Sequence, residues 1–366
     1  MSTIDDLVER WCPDGVPYSR LGEVCTFTKG QKPRRDQQEA GPFPLVTAAK
    51  DAQAHIAHFN WEGPALTMAS HGVPGFANFW DSNIWLSNNV FLLTEDADVL
   101  SKKFLFYVLK SLSSEISTHV HTGGIPYFNS RDVALVRVPL PPLEIQAEIV
   151  RILDCFTSLE VELEVELEAR KEQFEYFRHR ALQFSGTVPV FRLCDIASIS
   201  TGTRPVNMHS HEAGSVPYFN GGVEPSGWVD DANCRSDAIT IPSRGSVGIV
   251  RYQRDPFWCG PLCYQIRSVS PSLRTKFLFF WLKEIQTSIV ALQQTGSIPA
   301  LNKKQLATVM VPVPALETQD KVIHALNELE TLISSPEVGI QAEIESRRQQ
   351  YEYYRDRLLA FEEKVS

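Results

Sequence analysis

With 366 residues, 43% apolar and 22% charged, the chain has room for two or three domains with a substantial core, which excludes a disordered polymer. Seven widely scattered cysteines, of which only Cys259 and Cys263 are near neighbours, exclude a disulfide framework and a zinc knuckle. No apolar run reaches the length of a membrane span and the N-terminus reads as no leader, so a cytoplasmic chain with no membrane partner is expected, and its net charge of −9 needs locating before nucleic acid is dismissed.

In chain order, Ile4 to Trp11 suits a short helix, ended by the turn chemistry of Cys12-Pro13-Asp14-Gly15-Val16-Pro17. A compact domain begins near Tyr18. Its opening, from Leu21 through Gly22, Glu23 and Val24 to Gly30 and Pro33, alternates and then turns, and the same pattern returns from Leu193 to Gly202 and Pro205. The match continues: Pro44-Leu45-Val46-Thr47 with Pro217-Tyr218-Phe219-Asn220, and Ala65 to Gly72 with Ala238 to Gly245, both reading as strands that feed glycine turns. Helices with wide aromatic faces are expected at Lys102 to Leu109 and Thr275 to Leu282. The loops Thr122-Gly123-Gly124-Ile125-Pro126-Tyr127-Phe128-Asn129 and Thr295-Gly296-Ser297-Ile298-Pro299-Ala300-Leu301-Asn302 leave backbone open to whatever binds. Each domain then stops at a proline-rich strand end, Val138 to Leu143 and Val311 to Leu316.

Two helical arms follow the two domains. Along the first, Ile145, Ile149, Ile152, Phe156, Leu159, Leu163, Leu167, Phe174, Phe177 and Ala181 suggest one coiled-coil seam. Within it, Val161 to Glu168 alternates strictly and alone would also suit a strand. The second arm runs from Glu317 through Val322, Leu326, Leu329 and Ile333 to an interruption at Ser334-Ser335-Pro336-Glu337, where a new helix starts with Pro in its first turn. The arms, 144–184 and 317–366, hold 21 acids and 11 bases, so the acidity sits there and the two domains are nearly neutral, with basic clusters that can meet phosphates.

The expected fold is α/β (α+β): two pseudo-twofold-related globular domains separated by two long antiparallel helices forming a coiled coil. The boundaries are 1–143, 144–185, 186–315 and 316–366. Two readers at a fixed separation suit a duplex target in two halves.

The arm ends are the most specific signal: Arg170 to Phe184 returns as Arg347 to Phe361, including Arg348-Gln349-Gln350-Tyr351-Glu352-Tyr353-Tyr354-Arg355-Asp356-Arg357-Leu358-Leu359. With Pro13-Asp14-Gly15-Val16, Leu21-Gly22-Glu23-Val24 and the two glycine loops, nearly the whole chain resembles the DNA-specificity subunit of Type I restriction-modification systems. The resemblance implies a non-catalytic subunit that reads a bipartite, asymmetric sequence in double-stranded DNA. It implies two methyltransferase subunits docked on the arms, which carry S-adenosylmethionine and the adenine chemistry, and a restriction subunit that joins to cleave. The first arm departs from the second at Phe174, Phe177 and His179, where the second has Tyr351, Tyr354 and Asp356.

Reading DNA requires cations for phosphates and paired donors and acceptors for base edges. The first domain offers Lys29, Lys32, Arg34, Arg35, Lys50, His71 and Arg131. The second offers Arg204, Arg244, Arg251, Arg254, Lys303 and Lys304, with Asn220, Gln293 and Gln294 as base readers. Any one of these also reads as a solvated surface charge. His71 and Arg244 stand out because they follow equivalent strands with different chemistry, although a turn-stabilising role fits them too. Phe174, Tyr176, Phe177, Tyr351, Tyr353 and Tyr354 are the candidate partner-docking face; the last three are too close in sequence for all to face one seam. His119 and His121 are read as loop residues. No methyltransferase, nucleotide-loop or nuclease motif is found. A specificity protein of another DNA-modifying or defence complex, or a coiled-coil protein-binding scaffold, remains the alternative.

Overall fold

The computed structural model describes residues 10, 12–124, 126–184, 186–208, 215–294, 299–335 and 339–364. The helix expected before Trp11, the centre of the second glycine loop and the Pro336 helix start lie outside the described residues, the first except for Arg10 and Trp11's neighbour Cys12. Two compact units emerge, one of residues 1–163 with 344–366 and one of 164–343. Each unit takes one globular domain and part of both arms.

The first unit opens with β1 (Tyr18–Arg20), the one-turn α1 (Leu21–Val24) and β2 (Cys25–Lys29). Then come β3 (Ala40–Val46), β4 (Ala54–Ile56), β5 (Ala65–Ala69), β6 (Ala77–Trp80), β7 (Trp85–Leu86) and β8 (Val90–Glu95). Helices α2 (Lys102–Ser111), α3 (Ser113–Thr118) and α4 (Ser130–Leu135) lead to β9 (Arg137–Pro139). Strands β2-β8-β5-β6 form an antiparallel sheet, β4-β3-β7 a second sheet with β3 and β7 parallel, and β1 pairs with β9. Apolar residues of β5 and β8 meet in register, as at Leu66 opposite Leu93, and Phe104, Leu105 and Val108 of α2 cover them in the core. Burying one such side chain contributes about 2 kcal/mol.

The second unit repeats this plan. Its strands are β10 (Val190–Arg192), β11 (Ala197–Thr201), β12 (Val216–Phe219), β13 (Gly227–Val229), β14 (Ala238–Pro242), β15 (Arg251–Gln253), β16 (Trp258–Cys259), β17 (Cys263–Ser268) and β18 (Met310–Pro312). They assemble as β11-β17-β14-β15, β13-β12-β16 and β10-β18, the first unit's order element for element. Ile239 faces Ile266 where Leu66 faces Leu93. Its helices α6 (Leu193–Ile196), α7 (Thr275–Glu284), α8 (Gln286–Ala291) and α9 (Lys303–Ala307) match too, with Phe277, Leu278 and Phe280 of α7 in its core.

The first arm is one helix, α5 (Leu143–Ala181, 39 residues), so the alternating segment Val161 to Glu168 is helical. The second is α10 (Leu316–Ser334) and α11 (Ile340–Leu358), broken where the sequence suggested. A single continuous seam along α5 is not what forms. Ile145, Ile149 and Leu153, four apart, are buried in the first unit's core, Ile152 is only half-buried, and Leu159 and Phe177 are exposed. The first three turns of α5 pack on a broad globular surface, which selects a stripe at four-residue spacing; alternating three and four is demanded only by a lone partner helix. Further along the first half of α5, such a partner appears. Phe156 stacks on Tyr354 with ring centroids 5.3 Å apart, and Glu160 meets Arg348 at 2.5 Å, so α11 runs antiparallel to it.

Residues after α11 close the first unit. Val16 donates its N–H to the Glu362 carbonyl at 2.9 Å, Lys364 donates to the Val16 carbonyl at 2.9 Å, and Arg137 grips Glu363 with both terminal nitrogens. Gly15, at φ 78°, lies so close to the Glu362 carbonyl that a Cβ would collide with it.

Candidate nucleic-acid interface

In both units the loop after the first sheet strand lies down on the short strand of the second sheet. Gly30 donates to the Val90 carbonyl, Gln31 to Leu86, and Trp85 Nε1 to the Gln31 carbonyl at 2.8 Å. The second unit repeats this with Gly202 donating to Gly260, Thr203 to Cys259, and Trp258 Nε1 to the Thr203 carbonyl at 2.7 Å. A Cβ on Gly30 or Gly202 would overlap the strand's carbonyls, so glycine is required for this approach. The geometry pins the loop's base, and Lys29, Lys32, Arg34, Arg35 and Lys50 are exposed in the first unit and Arg204 in the second. Lys32 lines an open cleft of about 790 Å³ shared with Gly72, the residue after His71.

His71 is half-buried and fixed by Ser70, whose Oγ lies 2.9 Å from its Nδ1. Its ring stacks toward Tyr127 (6.3 Å between centroids), and Tyr127 stacks on His121 at 4.7 Å; His121 in turn lies 2.9 Å from Asp132. His121 is therefore part of an aromatic stack rather than a free loop residue. In the second unit Arg244 stands in place of His71, and Gln294 pairs with Ala300 where His121 pairs with Tyr127. Neither Gln294 nor Ala300 carries a ring, and Arg244 is exposed. Tyr127 escaped notice in the sequence because an aromatic beside a proline looks like a loop anchor; its stacking comes from a strand bridge that only folding makes. Arg131 is exposed in the first turn of α4, capped by Asn129, and Lys303 and Lys304 are exposed at the start of α9, capped by Asn302.

Three of the second unit's candidates also make contacts within the fold. Arg251 bonds the Val223 carbonyl and lies 3.1 Å from Glu224. Arg254 reaches Glu330 of α10 at 3.8 Å, where Lys276 also pairs at 3.2 Å. Asn220 Oδ1 accepts from the Leu262 N–H at 2.9 Å, which holds a turn. Gln293 is half-buried.

The arm aromatics divide by direction. Phe174 packs on the second unit's core beneath the Arg178 guanidinium, whereas Tyr176 and Phe177 are exposed. Phe177 lines an apolar groove of about 780 Å³ with Ala181 and, from α10, Leu326, Leu329 and Leu332. At the other arm end Tyr351 and Tyr354 turn inward and Tyr353 is exposed.

Glu284 at the end of α7 ties the second half of α5 to its domain. Burial opposes its charge, but Arg178 Nε at 2.9 Å and His179 Nδ1 at 2.7 Å outweigh that and hold its carboxyl below the ordinary range. A depressed folded-state pKa stabilises fully above the unfolded value near 4.5 and is lost as pH falls through the folded value. Thermal melts from pH 6 to 3 are expected to show a smaller acid-induced drop in Glu284→Gln than in the parent; equal drops would mean the pair contributes nothing.

The profile of the family described as the Type I restriction modification DNA specificity domain matches residues 13–171 and 186–346. The chain is 27% identical over 401 residues to the specificity subunit of the Type I restriction enzyme EcoR124I/EcoR124II of Escherichia coli, covering 98% of this chain and 96% of that one. Among solved structures, a Type I restriction-modification S subunit from M. genitalium has a similar fold, with a TM-score of 0.70 at 19% identity over 94% of this chain and 96% of the other. A chain from a structure of the assembly and conformational transition of the type I R-M system aligns with a TM-score of 0.56, again at 19% identity, over 95% of this chain and 97% of the other. Among the described residues no helix is long and apolar enough to cross a membrane.

Proposed function

Since the chain belongs to the Type I restriction-modification DNA specificity family, we propose that each of its units reads one half of a bipartite, asymmetric target in double-stranded DNA. The chain is a specificity subunit; in this reading it performs no chemistry itself. One observation carries the proposal: two units share a topology strand for strand yet differ where their loops open, with His71 against Arg244, Thr47 against Asn220, and Tyr127 against Ala300. A common framework with divergent loop side chains is how one fold distinguishes two half-sites. Exposed Lys29, Lys32, Arg34, Arg35, Arg204, Lys303 and Lys304 supply the phosphate contacts.

Two methyltransferase subunits dock on the arms, and exposed Tyr176, Phe177 and Tyr353 with the groove beside Phe177 support that reading. S-adenosylmethionine and the adenine-methylating groups belong to those subunits, and a restriction subunit completes the cleaving complex. The test is a methylome of the host with and without this gene, read by single-molecule sequencing. Deletion is expected to erase adenine methylation from one split motif. An unchanged methylome in cells that express the methyltransferase subunit would overturn the proposal.

A further inference from the structure

Among the described residues, the place in the second unit that matches the floor of the first unit's cleft is built differently. In the second unit Asn220 accepts from the Leu262 amide at 2.9 Å and ties the residue after β12 to the residue before β17. At the equivalent positions the first unit has Thr47 and Asn89. Thr47 is too short to make that bond, and both Thr47 Oγ1 and Asn89 Oδ1 are buried with no hydrogen-bond partner among the described residues. Buried oxygens without partners are costly, so such a pair in a cleft marks a place organised for something other than stability.

The walls carry the complementary chemistry. Gln53 and Asn88 are exposed amides that line the cleft, with Asn88 Oδ1 accepting from Ser87 Oγ at 3.3 Å, and Val73 and Lys32 are exposed lining residues as well. Lys29 at the end of β2 and Arg34, Arg35 and Lys50 are also exposed in this unit. An amide side chain matches adenine's N6 donor and N7 acceptor, and a small apolar group matches the thymine methyl. Lys32, which lines the same cleft, suits a flanking phosphate. We infer that the cleft between Thr47 and Asn89 is the first unit's base-reading surface and that Gln53 and Asn88, with Val73, specify an A·T pair in one half-site. This rests on the DNA-reading function above and names the residues and the base pair through which it acts.

The experiment uses the chain assembled with its methyltransferase subunits, comparing the parent with the double variant Gln53→Leu, Asn88→Leu. Both positions are exposed, and unchanged thermal melting confirms folding. The probes are a fluorescent duplex bearing the split motif found in the parent methylome and a set altered one base pair at a time. The parent is expected to reject loss of one A·T pair in one half-site by about tenfold or more, and the variant to lose that discrimination while keeping the other half-site's. Unchanged discrimination, relaxation at a G·C pair, relaxation in both halves, or a uniform loss across all duplexes overturns the inference. A parent complex with no motif at all would instead defeat the DNA-reading function itself.

Discussion

Aspartate at Phe177 or Leu332 is expected to weaken capture of the methyltransferase subunit by about 100-fold and to strip methylation from the target motif, while leaving the fold intact. Both side chains are apolar, 43% and 52% exposed, and they line the groove between the second half of α5 and α10. Exposed apolar side chains on a helix pair are a net cost to an isolated chain and a gain only when a partner covers them. Truncating an interface anchor typically costs 2–4 kcal/mol, which is roughly 30- to 1,000-fold in affinity. A buried charge adds to that loss. Titration calorimetry of the purified chain with its methyltransferase subunit measures the effect. Val206, 96% exposed, supplies the control, because Val206→Asp adds the same charge away from the groove. Equal affinities for the groove variants and the control would remove the groove from the interface.

Leucine at Gln146 or Gln319 is expected to destabilise its own unit by about 3–5 kcal/mol, enough to leave a marginal domain unfolded. Each glutamine has no solvent exposure. Gln146 donates to the Val99 and Pro141 carbonyls, both at 2.8 Å, and accepts from the Ser101 N–H at 2.7 Å. Gln319 does the same with Ser272 and Pro314 at 2.8 Å and with the Arg274 N–H at 2.9 Å. One side chain thereby joins the loop before the aromatic helix, the proline strand end and the first turn of the arm. Leucine fills similar volume but leaves three backbone groups unpaired, one at a buried bond and two at partly buried ones, and a buried unpaired group costs on the order of 1–3 kcal/mol. Urea unfolding followed by tryptophan fluorescence reads the shift in midpoint. A change below about 1 kcal/mol would show that water replaces these bonds at little cost.

These glutamines also mark a limit of sequence reading. They recur at matching places in the repeat, but near the start of a charged helix a glutamine looks solvated. Burial depends on the Pro141 and Pro314 turns folding back over the helix start. The arm aromatics pose the same difficulty: Phe174 and Phe177 are three apart and apolar, yet one packs on the core and the other faces outward. Charge and loop position make Arg251 and Arg254 visible as candidate phosphate contacts in the sequence, whereas their neighbours Glu224 and Glu330 are distant in it and come near only in the fold.

The amino-acid sequence by itself determined the duplication, the two α+β domains, the two helical arms, the break in the second arm and the family. Those features are written in local periodicity, in turn residues and in a repeat whose two copies corroborate each other. Tertiary structure decided which stripe of α5 is buried, how the residues after α11 close the first unit, where the aromatics point and which cations are already paired. It also decided that Asn220 accepts from the Leu262 amide at the place where, in the first unit, Thr47 and Asn89 line a cleft. These outcomes depend on contacts between residues far apart in the chain, and no local pattern encodes which distant group will arrive within hydrogen-bonding distance.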